Sequence, residues 1–175
     1  LFLFVLIFSL SHANAQYSLD FSGDEDNVTL NGSDVVPPWT LEVMVNKSET
    51  DNYQHLLTGS NGISGVRIEQ WWGTKVGFTE GGVADWTFNY VLPMGQWVHL
   101  AMTNNGTQTK LYVNGTYHSS ITGSISLPRK WISKGAEDAS LKAKIDELRW
   151  WDMVLEEDII EQYATEPVEP DHPHY

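Results

Sequence analysis

The amino-acid sequence predicts an all-β domain, a sandwich or barrel of short antiparallel strands. Three observations carry that reading. Apolar residues recur with a period of two in one short run after another. Turn signals rich in Gly, Asn, Asp and Pro separate the runs. The runs do not alternate with helical patterns, as a βαβ chain would require.

The elements follow in order. YSLDF places Tyr17, Leu19 and Phe21 on one face, and NVTL comes after a polar turn, Ser22 to Asp26. Pro37-Pro38 breaks the chain before WTLEVMV, which alternates Trp39, Leu41, Val43 and Val45. YQHLLTG and GVRIEQWW flank a Gly-containing turn at Ser60–Gly65. KVGFTE and DWTFNYVL are separated by Gly81-Gly82; the second run sets Trp86, Phe88 and Tyr90 against Thr87 and Asn89. QWVHLAMT ends in the turn signal Asn104-Asn105-Gly106. TKLYV and TYHSSI are joined by Asn114-Gly115, the strongest short hairpin signal, because a type I′ turn needs positive φ at both central residues. KAKIDELRWW reads as a strand with Asp146, Leu148 and Trp150 on its core face and Ile145, Glu147, Arg149 and Trp151 on the other. Helical periodicity would instead line up Ile145, Leu148 and Trp151, and the all-β context decides for the strand. A turn at Asp152-Met153 leads to the one helix candidate, Leu155 to Tyr163. Its first turn carries Glu156, Glu157 and Asp158, which favour the positive end of the helix dipole, and Ile159, Ile160 and Tyr163 give it an apolar side.

Length and composition bound the function. The 175 residues suit one domain with short tails. Residues 1–15 read as a secretory signal: an apolar run, then Ala13-Asn14-Ala15 as a small-x-small cleavage site, with Gln16 first in the mature chain. The run is short for a bilayer span, and a membrane anchor is the competing reading. The domain is expected over residues 16–165, and 166–175 form a Pro-rich acidic tail. A formal net charge of −13 repels phosphate backbones, so nucleic acid is a poor partner, while divalent cations are compatible. The chain has no Cys, which excludes a thiol nucleophile, thiolate metal sites and disulfides.

Four segments together resemble the laminin G-like, concanavalin A-like jelly-roll superfamily, in particular its non-catalytic branch of secreted multidomain proteins. They are YSLDFSGDEDNVTL, WTLEVMV, GQWVHLAMTNNGTQTKLYVNGTYH and KAKIDELRWWDMVLEEDIIEQY, in that order, spanning about Tyr17 to Tyr163. The resemblance implies a two-sheet antiparallel jelly roll whose first and last strands lie side by side. It also implies a module that binds carbohydrates, glycoproteins or matrix partners, often with calcium.

Candidate sites follow from residue chemistry and from that resemblance. Calcium takes six to eight oxygens, and the Ser22–Asn27 turn offers three consecutive acids. The resemblance implies a structural Ca2+ between the terminal strands, here held by Asp24, Asp26 and Asp146 with a Gly23 carbonyl; Ser22 stands where the family often has Asp. For sugars, Trp71 and Trp72 must face opposite ways on a strand, so one leaves the core. Trp72, Trp86 and Tyr90 with the Asn89 amide make the candidate ligand set, stacking supplying affinity and amides orientation. A glycosidase needs two carboxylates facing one bond, whereas Asp146 and Glu147 are adjacent and point apart, so no catalytic residues are expected. Asn27, Asn31, Asn46, Asn105 and Asn114 begin N-x-S/T sequons and are candidate glycosylation sites. The expected product is a secreted, non-catalytic module for a glycan or glycosylated surface. The competing class is an extracellular structural or adhesion protein that contacts other proteins or itself; a glycoside hydrolase is a more distant third.

Overall fold

A computed structural model describes residues 18–22, 25–51, 53–70, 73–135, 140–166 and 168. Among them are twelve strands and one helix: β1 Leu19–Phe21, β2 Val28–Thr29, β3 Trp39–Lys47, β4 Gln54–Thr58, β5 Gly65–Glu69, β6 Lys75–Glu80, β7 Ala84–Val91, β8 Trp97–Asn104, β9 Gln108–Val113, β10 Thr116–Thr122, β11 Trp131–Ile132, β12 Ala143–Trp151 and α1 Glu157–Tyr163. They form two six-stranded sheets, β1-β12-β3-β8-β9-β10 and β2-β11-β4-β5-β6-β7, and every strand pair within them is antiparallel. This is the two-sheet jelly roll the sequence predicts, and β1 and β12 do lie side by side, with Leu19 opposite Ile145 and Phe21 opposite Ala143. The two-residue β11 has too short a pattern for periodicity to detect.

Alternation builds the core. Trp39, Leu41, Val43 and Val45 of β3 and Val98, Leu100 and Met102 of β8 face Leu57, Val66, Ile68, Val76, Phe78 and Phe88 of the second sheet, all buried in one cluster. Each such side chain contributes about 1.5–3 kcal/mol of burial. The indole N–H of Trp39 donates to the Ile125 carbonyl at 2.9 Å, so its polar atom is satisfied in the interior. At one end of the sandwich the two sheets are tied by a buried ion pair, Lys47 Nζ to Glu69 Oε1 at 2.7 Å. The other carboxylate oxygen of Glu69 accepts from Gln54 Nε2 and from the Asp51 amide. With its remaining valences met, the buried charge is tolerated.

The hairpin expected at Asn114-Gly115 is present, with φ of 49° and 80° at the two residues. A Cβ on Gly115 would lie 2.8 Å from the Cα of Glu161, so this position needs glycine for the turn and for the close approach of α1.

β12 departs from simple alternation. Asp146 pairs with Met44 and Arg149 with Glu42, so three residue steps on β12 oppose two on β3. Glu147 is the extra residue and takes φ of 50°. Such a bulge resets the phase of everything after it. Ile145, Leu148 and Trp150 therefore pack on the core, while Asp146, Arg149 and Trp151 share the outer face. The expectation that Asp146 faces the core is corrected here: its cross-strand neighbour Met44 lies on the opposite face of β3 from Val43 and Val45. α1 packs over this outer face, with Trp151, Leu155 and Ile160 buried together beside Ala101 and Tyr112. It begins two residues later than the sequence predicts, because the Leu155 amide is held by Thr40 Oγ1 at 3.0 Å outside the helix.

Candidate functional site

The outer face of the second sheet holds the most organised set of polar and aromatic side chains that reaches solvent. Strand register defines two rows on it. The first runs Thr29, Trp131, Thr58, Gly65, Thr79, Asp85 across all six strands. The second runs His55, Arg67, Gly77, Thr87 across four. The opposite faces of the same strands carry Leu57, Val66, Phe78 and Ile132, which is why these rows point outward. Gly65 and Gly77 leave the middle of both rows without side chains.

Arg67 is the hub. Its guanidinium is buried, yet every arm has a partner. Nε donates to His55 Nε2 at 3.0 Å, so that ring nitrogen is unprotonated and His55 is neutral there. Nη1 donates to Thr79 Oγ1 at 2.7 Å and to Gln70 Oε1. Nη2 donates to the Tyr53 hydroxyl at 2.6 Å and to the Ile63 carbonyl at 3.0 Å. The guanidinium also lies 4.1 Å from the centre of the Tyr53 ring. Burial pulls the Arg67 pKa below its ordinary value, and the Tyr53 hydroxyl and the Asp85 carboxylate oppose that pull.

The network ends at the surface. Thr79 Oγ1 donates to Asp85 Oδ1, and Arg67 Nη1 stands 3.5 Å from the same oxygen. Asp85 is nonetheless 57% exposed. Its carboxylate is therefore oriented from beneath and presented to solvent, with Thr87 and Asn89 exposed along the same strand. Toward the other end of the first row, one strand in from Thr29, Trp131 is half-buried, with Lys134 Nζ 4.9 Å and Lys130 Nζ 5.6 Å from its ring centre. Asp85 and Trp131 are four strands apart, about 19 Å at 4.8 Å per strand. The face offers an oriented acceptor, hydroxyl and amide partners, and an aromatic plate, the kit for holding a polyhydroxylated ligand.

The residues singled out in the sequence are distributed differently. Trp72 lies outside the described residues. Trp86 and Tyr90 do share a face, but it is the inner one: Trp86 stacks on Phe78 with ring centres 5.1 Å apart and packs against the core, as Tyr90 does. A Cβ on Gly123 would come within 2.5 Å of the Trp86 indole nitrogen. Asn89 points the other way, into solvent on the face of Asp85 and Thr87. The ligand set Trp86, Tyr90, Asn89 is thus divided by the sheet itself. Burial pushes the Tyr90 hydroxyl pKa up.

The calcium set is divided too. Gly23 and Asp24 lie outside the described residues. Asp26 Oδ2 accepts from the Ser22 amide at 3.1 Å, just beyond β1. Phe21 opposite Ala143 places Ser22 at the level of Lys142, whereas Asp146 lies four residues further along β12, about 13 Å at 3.4 Å per residue. Two Asp side chains cannot meet one ion across that span. The convergence of Asp26 and Asp146 is corrected by the antiparallel register. Asp146 Oδ1 instead accepts from the Glu147 amide at 2.8 Å, within the bulge. Among the described residues no group of three or more His, Asp or Glu converges as a metal site.

The five sequon asparagines are all at least partly exposed. Asn105 and Asn114 spend their side-chain oxygens on the turns, accepting from the Thr107 and His99 amides respectively. Asn46 stands opposite Trp97 on the outer face of the first sheet.

Sequence reasoning missed Arg67, Tyr53, His55, Asp85 and Trp131. The alternation Val66-Arg67-Ile68 did contain a signal, a charged residue set opposite two core aliphatics, but not the identity of its partners. Trp131 sits in a two-residue strand between lysines, where only its exposure gives it meaning.

Solved structures of the same shape include a candidate carbohydrate-binding protein from Bacteroides ovatus, 17% identical with a TM-score of 0.65, which covers 83% of this chain and 46% of that one. They also include domain 4 of the extracellular arabinanase AbnA of Geobacillus stearothermophilus in complex with arabinotriose, 20% identical, TM-score 0.62, covering 77% of this chain and 68% of that one. A third is the heptameric SAP-like pentraxin of Limulus polyphemus, 14% identical, TM-score 0.58, covering 83% and 80%. At these identities the likeness is one of fold. The chain spans less than half the length of the Bacteroides protein. No curated protein matches the sequence significantly. A laminin G family model, however, matches residues 22–161, four-fifths of the chain. With its two six-stranded antiparallel sheets and that match, the chain belongs to the concanavalin A-like lectin/glucanases superfamily.

Proposed function

We propose that this protein is a non-catalytic glycan-binding module that uses the outer face of the second sheet. The observation that carries the reading is the register row from Trp131 to Asp85: an aromatic plate at one end, and at the other a solvent-facing carboxylate held by Thr79 and Arg67. A sugar C–H face stacks on the indole, and its hydroxyls donate to Asp85 and Asn89. The length of the row suits an oligosaccharide rather than a single sugar. The carbohydrate-binding protein and the arabinotriose-bound domain of like fold support the same reading. Glu42 and Glu147 both face Arg149, which favours a structural role for that pair over a glycosidase pair.

The apolar N-terminal run and the sequons support an action outside the cell. Calcium enters the proposal only through the Ser22–Asn27 turn, since Asp146 is out of reach; excess EDTA then lowers the melting temperature, and an unchanged melt removes calcium. A reading as a protein-contact module is favoured by Trp97 and Met94, 37% and 56% exposed.

The test is retention on a panel of immobilised polysaccharides. Trp131→Ala and Asp85→Ala are each expected to weaken retention at least tenfold with melting temperature changed by little, because both side chains reach solvent. Retention that survives both substitutions would place the site on another face.

A further inference from the structure

We propose that the ligand of this face is an acidic glycan, its negative group taken by Lys130 and Lys134 beside Trp131. The proposal rests on the glycan-binding reading and names the ligand class of the same site. The chain carries 23 acids and ten Lys and Arg, yet three of those ten fall in the six residues 129–134. Lys130 and Lys134 both approach the Trp131 ring, at 5.6 and 4.9 Å. Neither amine has a carboxylate within salt-bridge distance among the described residues, unlike Lys47 and Lys144, and the two stand together at one ring. In a molecule with a net charge of −13, two such ammonium groups over one indole form a local attraction for anions. Arg129 is engaged apart from them, 5.8 Å from the Trp150 ring.

The floor beside Trp131 points the same way. Thr58 is its direct neighbour across β4, on the same face, and its hydroxyl is fully buried with no hydrogen-bond partner. A buried hydroxyl left without a partner is uncommon and costly. A sugar oxygen or acid group seated on this row supplies one. The Asp85 end repels a second negative group, so the ligand is read with polarity: its acidic ring at Trp131, its neutral rings toward Asp85.

The experiment compares matched pairs that differ only in charge: polygalacturonic acid against its methyl ester, and dextran sulfate against dextran. Wild-type protein is expected to bind the charged member of at least one pair ten times more tightly at low salt, with the ratio shrinking as salt screens the lysines. The pair that responds tells a carboxylate from a sulfate. Lys130→Gln with Lys134→Gln is expected to abolish the ratio, leave binding of the neutral member in place, and leave the melt unchanged. Equal binding of charged and neutral members, or a ratio that survives the double substitution, overturns the inference while the glycan-binding reading stands. Retention on none of the polysaccharides, charged or neutral, overturns both.

Discussion

Each sheet carries a buried arginine on its outer face, and the two are used differently. On the first sheet, Arg149 lies between Glu42 and Glu147 and donates to the Tyr163 carbonyl at 3.3 Å. Glu42 accepts the Trp151 indole N–H at 2.7 Å, and His99 Nε2 stands 3.3 Å from its other oxygen without aligned hydrogen-bond geometry. α1 closes over all of it, with Tyr163 stacked on Trp151 at 5.5 Å. On the second sheet, Arg67 has more partners, and its network ends at an exposed carboxylate. A charged cluster roofed by its own chain fixes the roof. A charged cluster that opens at its rim can orient a group toward a ligand. The same residue type in the same kind of sheet thus separates stability from binding.

The largest effect that tests this contrast is Glu42→Ala. It strips Trp151 of its acceptor and leaves Arg149 with one carboxylate in a buried site. Breaking one side of a buried ion pair costs about 3–5 kcal/mol, which in a domain of this size lowers the melting temperature by on the order of 10 °C. Glycan retention by the protein that remains folded in the cold is expected to stay at the wild-type level. Loss of retention without loss of stability would reverse the roles of the two faces.

How much of this was legible differs along the chain. β3 and β8 alternate so regularly that their inner faces, and hence the core, follow from the sequence, and Asn114-Gly115 fixes its hairpin. β12 was legible only after Glu147: Leu148 and Trp150 face the core and Arg149 and Trp151 the outer side as alternation predicts, while Ile145 and Asp146 are exchanged. The bulge at Glu147 has no glycine to announce it, and one inserted residue turned an expected core carboxylate into a surface one. The site suffered from a related ambiguity. Alternation correctly grouped Trp86 with Phe88 and Tyr90 and set Asn89 against them, but alternation does not say which group is inside. That depends on which sheet packs against β7, a long-range fact. Arg67 and Asp85 are 18 positions apart in sequence and meet only because β5, β6 and β7 are neighbours.

Trp86 gives a middle-sized effect that sharpens the comparison. With its ring on Phe78 and over Gly123, Trp86→Ala opens a void at the edge of the core. Half-burial puts the cost toward the lower end of the roughly 3–5 kcal/mol seen for buried aromatics. Urea unfolding measures it. The folded fraction is expected to retain glycan, the opposite of Trp131→Ala; loss of retention in folded protein would restore Trp86 to the ligand set.

The smallest effect separates the faces by pH. Tyr112 lies under α1, where burial raises its hydroxyl pKa above the ordinary value of 10.0, with the Glu157 carboxylate adding to the rise. The protonated phenol is thus the form the fold favours. Stability from this group is fully present below pH 10 and is lost as pH rises through its folded-state value, because the unfolded chain releases that proton first. Wild-type melting temperature should therefore fall on going above pH 10, and Tyr112→Phe should fall less steeply. Tyr90, raised by burial where β7 meets His118 of β10, titrates in the same sense and contributes to the slope that remains. Parallel falls in the two proteins would mean that α1 leaves before the Tyr112 proton does, and that the roof over the first sheet is looser than its buried ion pairs imply.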